Sequence, residues 1–241
     1  MFLWLLLLGS CRLFADYEFT NDSGVGDDPV ISGELLDFFT KQTLSGVEVC
    51  VYGMPELPCV VSDLTGHYEL FGAPGGETGA LQFLRDGYQP SLLFLAFGER
   101  DYSMDWELVA LEHFTLLSIG ADPPVDPLQA TVIAGASGAI DGSYHLEPAD
   151  AEGPVYLGGF GIDFEAVSIV EEFGIFYNVP AGQYTLSLTH PTASCERSGV
   201  SWPAEGAHEA IIEAVPGFLC AGPRFICNSD IGYGGTTRYT R

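Results

Sequence analysis

Hydrophobic and polar positions alternate with a period of two along most of this chain. In "GVEVCVYG", Val47, Val49 and Val51 fall on one face, with Glu48, Cys50 and Tyr52 on the other. "VISGELLDF", "PCVVSD", "HYELFGAP", "GALQFLRDGYQP", "PSLLFLAFG" and "SMDWELVAL" read as further short strands. Turn signals separate them: Gly53-Met54-Pro55, Thr65-Gly66, Pro74-Gly75-Gly76, Asp86-Gly87 and Gly98-Glu99. No run of ten or more residues carries helical periodicity. About seven short strands within about 80 residues predict a small β-sandwich.

Two cysteines sit nine positions apart, each beside valines. The offset lets the chain run out along one strand, turn through "YGMPELP" and return beside it, which sets Cys50 opposite Cys59. Cross-strand Cα atoms about 5.5 Å apart suit a disulfide. Such a bridge restricts the unfolded chain by about 2–3 kcal/mol. A zinc site would need a second Cys or His pair nearby, and there is none in the sequence.

"ISGELLDFFTKQTLSGVEVCVYG", "VVSDLTGHYELFGAP" and "LQFLRDGYQP" together resemble the carboxypeptidase regulatory-like domain. Gly33, Gly46-Val47, Asp63, Gly66, Tyr68, Leu70, Pro74 and Gly87-Tyr88 occupy the positions of that family's pattern. The resemblance implies a seven-stranded, transthyretin-like sandwich and is nearly silent on function. It does not imply peptidase activity, because the zinc-binding catalytic domain would need some 300 further residues, roughly two typical domain lengths.

Glu171–Pro191, "EEFGIFYNVPAGQYTLSLTHP", sets Gly174, Phe176, Val179-Pro180, Gly182 and Tyr184 against the same pattern. It also aligns with "LTGHYELFGAPGG" after a two-residue deletion, which predicts an internal duplication. The expected fold is therefore all-β, with two tandem seven-stranded immunoglobulin/transthyretin-like sandwiches. The first spans 29–118 and the second 128–227. A stiff proline-rich linker at 119–127, "IGADPPVDP", joins them, and 228–241 is a frayed tail. Cys195 is expected to pair with Cys220 or with Cys227, and a Cys220–Cys227 bridge is the competing arrangement.

The N-terminus, "MFLWLLLLGSCRLFADYE", carries seven consecutive apolar residues, Phe2–Leu8. A bilayer span needs about 20, so the run matches the apolar part of a secretory signal instead. Leu8-Gly9-Ser10-Cys11 resembles the bacterial lipobox. The resemblance implies a signal at 1–11 and a diacylglycerol on Cys11. Residues 12–28 then form a polar, glycine-rich tether. Asn21, Asp22, Asp27 and Asp28 within it do not have the spacing of a calcium loop.

Composition narrows the function. The 241 residues include 8 Lys+Arg and 33 Asp+Glu, for a net charge of −25. Such a surface repels phosphate backbones, which excludes nucleic acid as a partner, and it suits loose collection of divalent cations. No nucleophile, base or metal set converges. Gly135-Ala136-Ser137-Gly138-Ala139 misses the last glycine of a nucleophile elbow, and Gly159-Phe160-Gly161 lacks the third glycine of a dinucleotide loop. His67, His113, His145, His190 and His208 are scattered singly; His145 and Glu147 share a strand face, with no third ligand placed beside them. No cofactor, metal or catalytic residue is expected. The expectation is a non-catalytic, lipid-anchored envelope module with a structural, adhesive or protein-binding role. The alternative is a carbohydrate-binding module, with Trp202 and Tyr156 as candidate stacking rings. Tyr233 is a further candidate, and Trp106 reads as core. The expected partners are the membrane, through the lipid anchor, and envelope proteins or polysaccharide.

Overall fold

The computed structural model describes residues 17–19, 29–97, 101–117, 121–158, 161–163, 166–169, 173–197, 209–222 and 225–228. Cys11, Trp202, His208, Tyr233 and most of the 12–28 and 228–241 segments lie outside them. The described chain is almost all β. Its first half contains β1 (Tyr17–Phe19), β2 (Ile31–Asp37), β3 (Glu48–Val51), β4 (Val60–Val61), β5 (His67–Leu70), β6 (Thr78–Leu84), β7 (Ser91–Ala96), β8 (Tyr102–Met104) and β9 (Trp106–Leu108). A short helix follows, α1 (Leu111–Leu117). The second half contains β10 (Ala130–Ser137), β11 (Ser143–Glu147), β12 (Glu152–Gly158), β13 (Gly161–Asp163), β14 (Phe173–Val179), β15 (Gly182–Thr189), β16 (Ser194–Arg197), β17 (Glu209–Ala214), β18 (Leu219–Ala221) and β19 (Phe225–Asn228).

The strands form three sheets. One carries β1-β8-β2-β5, with β9 also on β2; another carries β11-β15-β17. The longest runs β13-β12-β14-β10-β18-β7-β6-β3-β4, so it passes through both halves. Alternation explains the first half. Val47, Val49 and Val51 point into a core with Tyr68, Leu70, Leu81, Phe83 and Trp106. Gly33 is required where β8 lies beside β2, because a Cβ there would collide with the Met104 carbonyl. Gly66 takes the left-handed turn that its Asp-x-x-Gly setting predicts, at φ +82°.

The two halves share one topology. In the first, β2 pairs antiparallel with β5, β6 with β3 and β7, and β8 and β9 lie parallel on β2. In the second, β10 pairs antiparallel with β14, β15 with β11 and β17, and β18 and β19 lie parallel on β10. In these pairings β5 corresponds to β14 and β6 to β15, the strands of the Glu171–Pro191 likeness, while β4, β12, β13 and β16 have no counterpart in the other half among the described residues.

The sandwiches are more than two beads on a spacer. β18, from near the C-terminus, lies parallel between β7 of the first half and β10 of the second. Its three side chains enter three different cores. Cys220 faces the second core with Val132 and Leu92. Ala221 faces the first core with Leu93, on the opposite side of the sheet. Leu219 joins a third cluster with Phe38, Val109, Ile133, Phe173, Ile175 and Tyr177. The proline-rich segment is docked too. Ala121 and Val125 pack on that third cluster, Asp126 N donates to Asn178 Oδ1 at 2.6 Å, and Asn178 Nδ2 donates to the Pro124 carbonyl at 3.0 Å.

Further sequence expectations need correction here. The 12–28 segment is not a tether throughout, because Tyr17–Phe19 adds an edge strand antiparallel to β8. Cys220 forms no disulfide: Cys195 pairs with Cys227, directly opposite it on the β16–β19 ladder, with Cα atoms 4.0 Å apart. Cys220 is a buried free thiol, and its interior position pushes its pKa up to about 11.

The shared sheet makes a direct prediction. Leu219→Asp puts a carboxylate where strands of both halves meet and should cost more than about 3 kcal/mol. Urea unfolding followed by proteolysis of each half should show both transitions moving together. A first half that keeps its wild-type midpoint would contradict the shared sheet.

Candidate functional site

Among the described residues, several ionisable side chains gather where β2 ends, beside β9 and the loop before α1. Asp37 is only 4% exposed. One carboxylate oxygen accepts from Phe39 N (3.0 Å), Thr40 N (2.7 Å) and Thr40 Oγ1 (2.9 Å), and the other from the Tyr88 hydroxyl (3.0 Å). Burial by itself would raise the Asp37 pKa. The hydrogen bonds from Thr40, Tyr88 and Phe39 outweigh it and hold the carboxyl below its ordinary value. The same bond pushes the Tyr88 pKa up, behind burial as the larger cause.

Asp37 fixes the turn that carries Lys41, the chain's single lysine, in a left-handed conformation at φ 57°. Lys41 Nζ meets both oxygens of the buried Glu107 at 2.8 and 2.7 Å and lies 4.8 Å from the Phe38 ring centroid. Arg85 stacks over Tyr88 at 4.9 Å, and His113 lies against Phe39 at 4.3 Å. Chemically this is a clasp. It ties the β2 end, β9 and the Tyr88 turn together beside the third core. The carboxylates of Asp37 and Glu107 are committed to fixed donors, which suits holding a loop and not proton transfer.

A second polar surface is the outer face of the β11-β15-β17 sheet. Ladder register lines up His145, Ser187 and Glu209, and next to them Glu147, Thr185 and Ile211. His145 bonds diagonally to Thr189 Oγ1 at 2.8 Å. No exposed aromatic ring lies on this face among the described residues. Ile211, 65% exposed, is its one large apolar side chain.

The candidate stacking residue Tyr156 cannot serve a sugar. It is 1% exposed and its ring lies against Tyr144, 6.4 Å between centroids, because β12 faces it into the second core. Trp106 is core as expected, at 2% exposure and stacked on Phe83. Cys50 and Cys59 form the expected disulfide, with Cα atoms 4.4 Å apart. Glu48 lies beside that bridge, yet sulfurs joined to each other are not thiolate ligands, so the trio makes no metal centre. His190 is engaged locally: Nδ1 accepts from Thr192 N and Ala193 N, and Nε2 donates to the Ile140 carbonyl. Sequence reasoning missed Asp37 and the Lys41–Glu107 pair. The signal was there in "DFFTK", an Asp followed three residues on by Thr, the pattern of a side-chain-capped turn.

No family model matches the chain, and no curated protein matches it. Among solved structures it is similar to part of a type II cohesin–X-dockerin complex from Acetivibrio cellulolyticus, at 17% identity and TM-score 0.30, covering 34% of this chain and 58% of that one. It is also similar to the Bacillus anthracis TIE protein, at 11% identity and TM-score 0.29, covering 83% of this chain and 34% of that one. A third likeness is to the shaft pilin SpaA of Lactobacillus rhamnosus GG, at 8% identity and TM-score 0.24, covering 86% and 99%. The chain spans less than two thirds of the first two proteins. At these TM-scores none of the likenesses bears on function, and the all-β assignment rests on the strands themselves.

The Asp37 clasp generates a prediction. Asp37→Ala leaves four donors without their acceptor and should cost about 2–3 kcal/mol. Because the folded-state pKa is depressed, the wild-type contribution is fully present above the unfolded value of about 3.9 and is lost as pH falls below it. Urea midpoints for wild type and Asp37→Ala should therefore converge as pH drops below about 4. A gap that stays constant to pH 2 would assign the loss to packing instead.

Proposed function

We propose that the protein is a non-catalytic surface module of the bacterial cell envelope, exported, anchored through lipid on Cys11, and working as a rigid spacer or protein-binding unit. Its two sandwiches are read as a tandem pair of the carboxypeptidase regulatory-like type. The observation that carries the reading is the continuous sheet through both halves, which ties them together by strand pairing as well as through the proline-rich joint. Two disulfides suit an oxidising compartment. The ionisable groups that gather at one place, Asp37, Lys41 and Glu107, are engaged in holding loops, which supports recognition or spacing over chemistry.

Carbohydrate binding has lost the support of Tyr156 and now rests on Trp202, which lies outside the described residues. Protein binding is therefore preferred. Cell fractionation tests the address: wild type should label with a palmitate analogue and follow membranes, and Cys11→Ala should shift to the soluble fraction. Capture from cell envelope by a form lacking residues 1–28 should enrich protein, not polysaccharide. Unlabelled wild type in the cytoplasm would defeat the reading, and retention on glycan alone would favour the carbohydrate-binding alternative.

A further inference from the structure

The duplicated topology leaves the two halves with different edges. In the first half, the outer edge of β7 receives β18, in parallel, with Leu219 opposite Ser91, Cys220 opposite Leu92 and Ala221 opposite Leu93. The strand that matches β7 in the second half is β17, and among the described residues β17 pairs only with β15. The strand that matches β18 in the first half is β8. Its outer edge is taken by β1. Among the described residues, then, β17 is a β7-type edge with no strand on its outer side, and β8 is a β18-type edge capped by the three residues of β1.

The side chains follow the same correspondence. On β7, Leu92 and Phe94 point away from the first core and pack beneath the second. On β17, Glu209, Ile211 and Glu213 point away from the second core, and Ile211 is 65% exposed. The exposed isoleucine thus stands on the face where the first half buries Leu92 and Phe94 under its neighbour. We propose that β17 is a docking edge for a second copy of this chain, which adds its own β8 edge in parallel once β1 has been displaced. The contact would repeat between copies the β7–β18 junction that already exists within one. It would be heterologous and non-closing, giving head-to-tail rows. Glu209, Glu213 and a net charge of −25 per copy oppose it at low salt. Screening should therefore strengthen assembly. The inference rests on the fold and is independent of export and lipidation.

Sedimentation of the full chain gives the test. Wild type should stay monomeric. Glu18→Pro, which bars a regular strand at β1, should form a concentration-dependent series of oligomers at about 0.5 M salt, where the Debye length falls well below 10 Å. Adding Ile211→Glu should return it to monomer with unchanged circular dichroism. A Glu18→Pro protein that stays monomeric, stops at dimer, or assembles equally well with Ile211→Glu would overturn the proposal. A second arm does not depend on that variant folding well. The full chain carrying Ser103→Cys and Ile211→Cys should stay monomeric under reducing conditions, and prolonged mild oxidation at about 0.5 M salt should trap the transient state in which β1 has left Ser103, accumulating 103–211 links between copies. Only 103–103 or 211–211 links, or none, would refute it.

Discussion

Three consecutive residues, Leu219, Cys220 and Ala221, carry the architecture. As β18 they supply hydrogen-bonding groups to β7 on one side and β10 on the other, and alternation sends neighbouring side chains to opposite faces. All three are buried, at 1%, 0% and 0% exposure, each in a different apolar cluster. Without this strand, β7 and β10 would each present an unpaired edge inside the molecule, a costly state for backbone groups. The second core would also lose part of its floor, since Leu92 belongs to it although it comes from the first half. The order of the chain is thus crossed by its packing: a segment near the end completes the sheet begun near residue 48.

The rest of the structure reinforces that joint. The third cluster lies against the same sheet, and Phe38, Val109 and Phe114 from the first half cover it together with the docked proline-rich segment. The Asp37 clasp holds the loop from which Phe38 projects, and Gln89 Nε2 donates to the Gly217 carbonyl at 2.8 Å just ahead of β18. The Cys195–Cys227 bridge closes a 32-residue separation around β17 and β18, a restriction of the unfolded chain worth about 3–4 kcal/mol in chain-entropy terms. The polar groups at the candidate site therefore act on stability and shape.

Much of the fold was legible in the sequence because half-buried strands alternate. Val47, Val49 and Val51 declare their face, and the offset between Cys50 and Cys59 declares a turn and return. The duplication was legible through Phe176, Pro180 and Tyr184. What stayed hidden has physical causes. β18 is three residues inside "PGFLCAGP", too short for a period, and its partner Ser91 lies 128 residues away from Leu219 (219 − 91). β10, "ATVIAGAS", is buried on both faces for most of its length, so it shows no alternation that would mark a central strand. Tyr156 was misread because a tyrosine in a strand looks the same whether its ring meets solvent or Tyr144. Cys220 and Cys227 could not be separated by spacing; ladder register decided between them.

Native-state hydrogen exchange read on the backbone amides of β18 and β7 tests the account most directly. If one sheet binds both halves, Leu219–Ala221 and Ser91–Ala96 should exchange only through global opening, with the same free energy as the cores of either half. Exchange of β18 with the second half alone, while β7 opens separately at a different free energy, would contradict it.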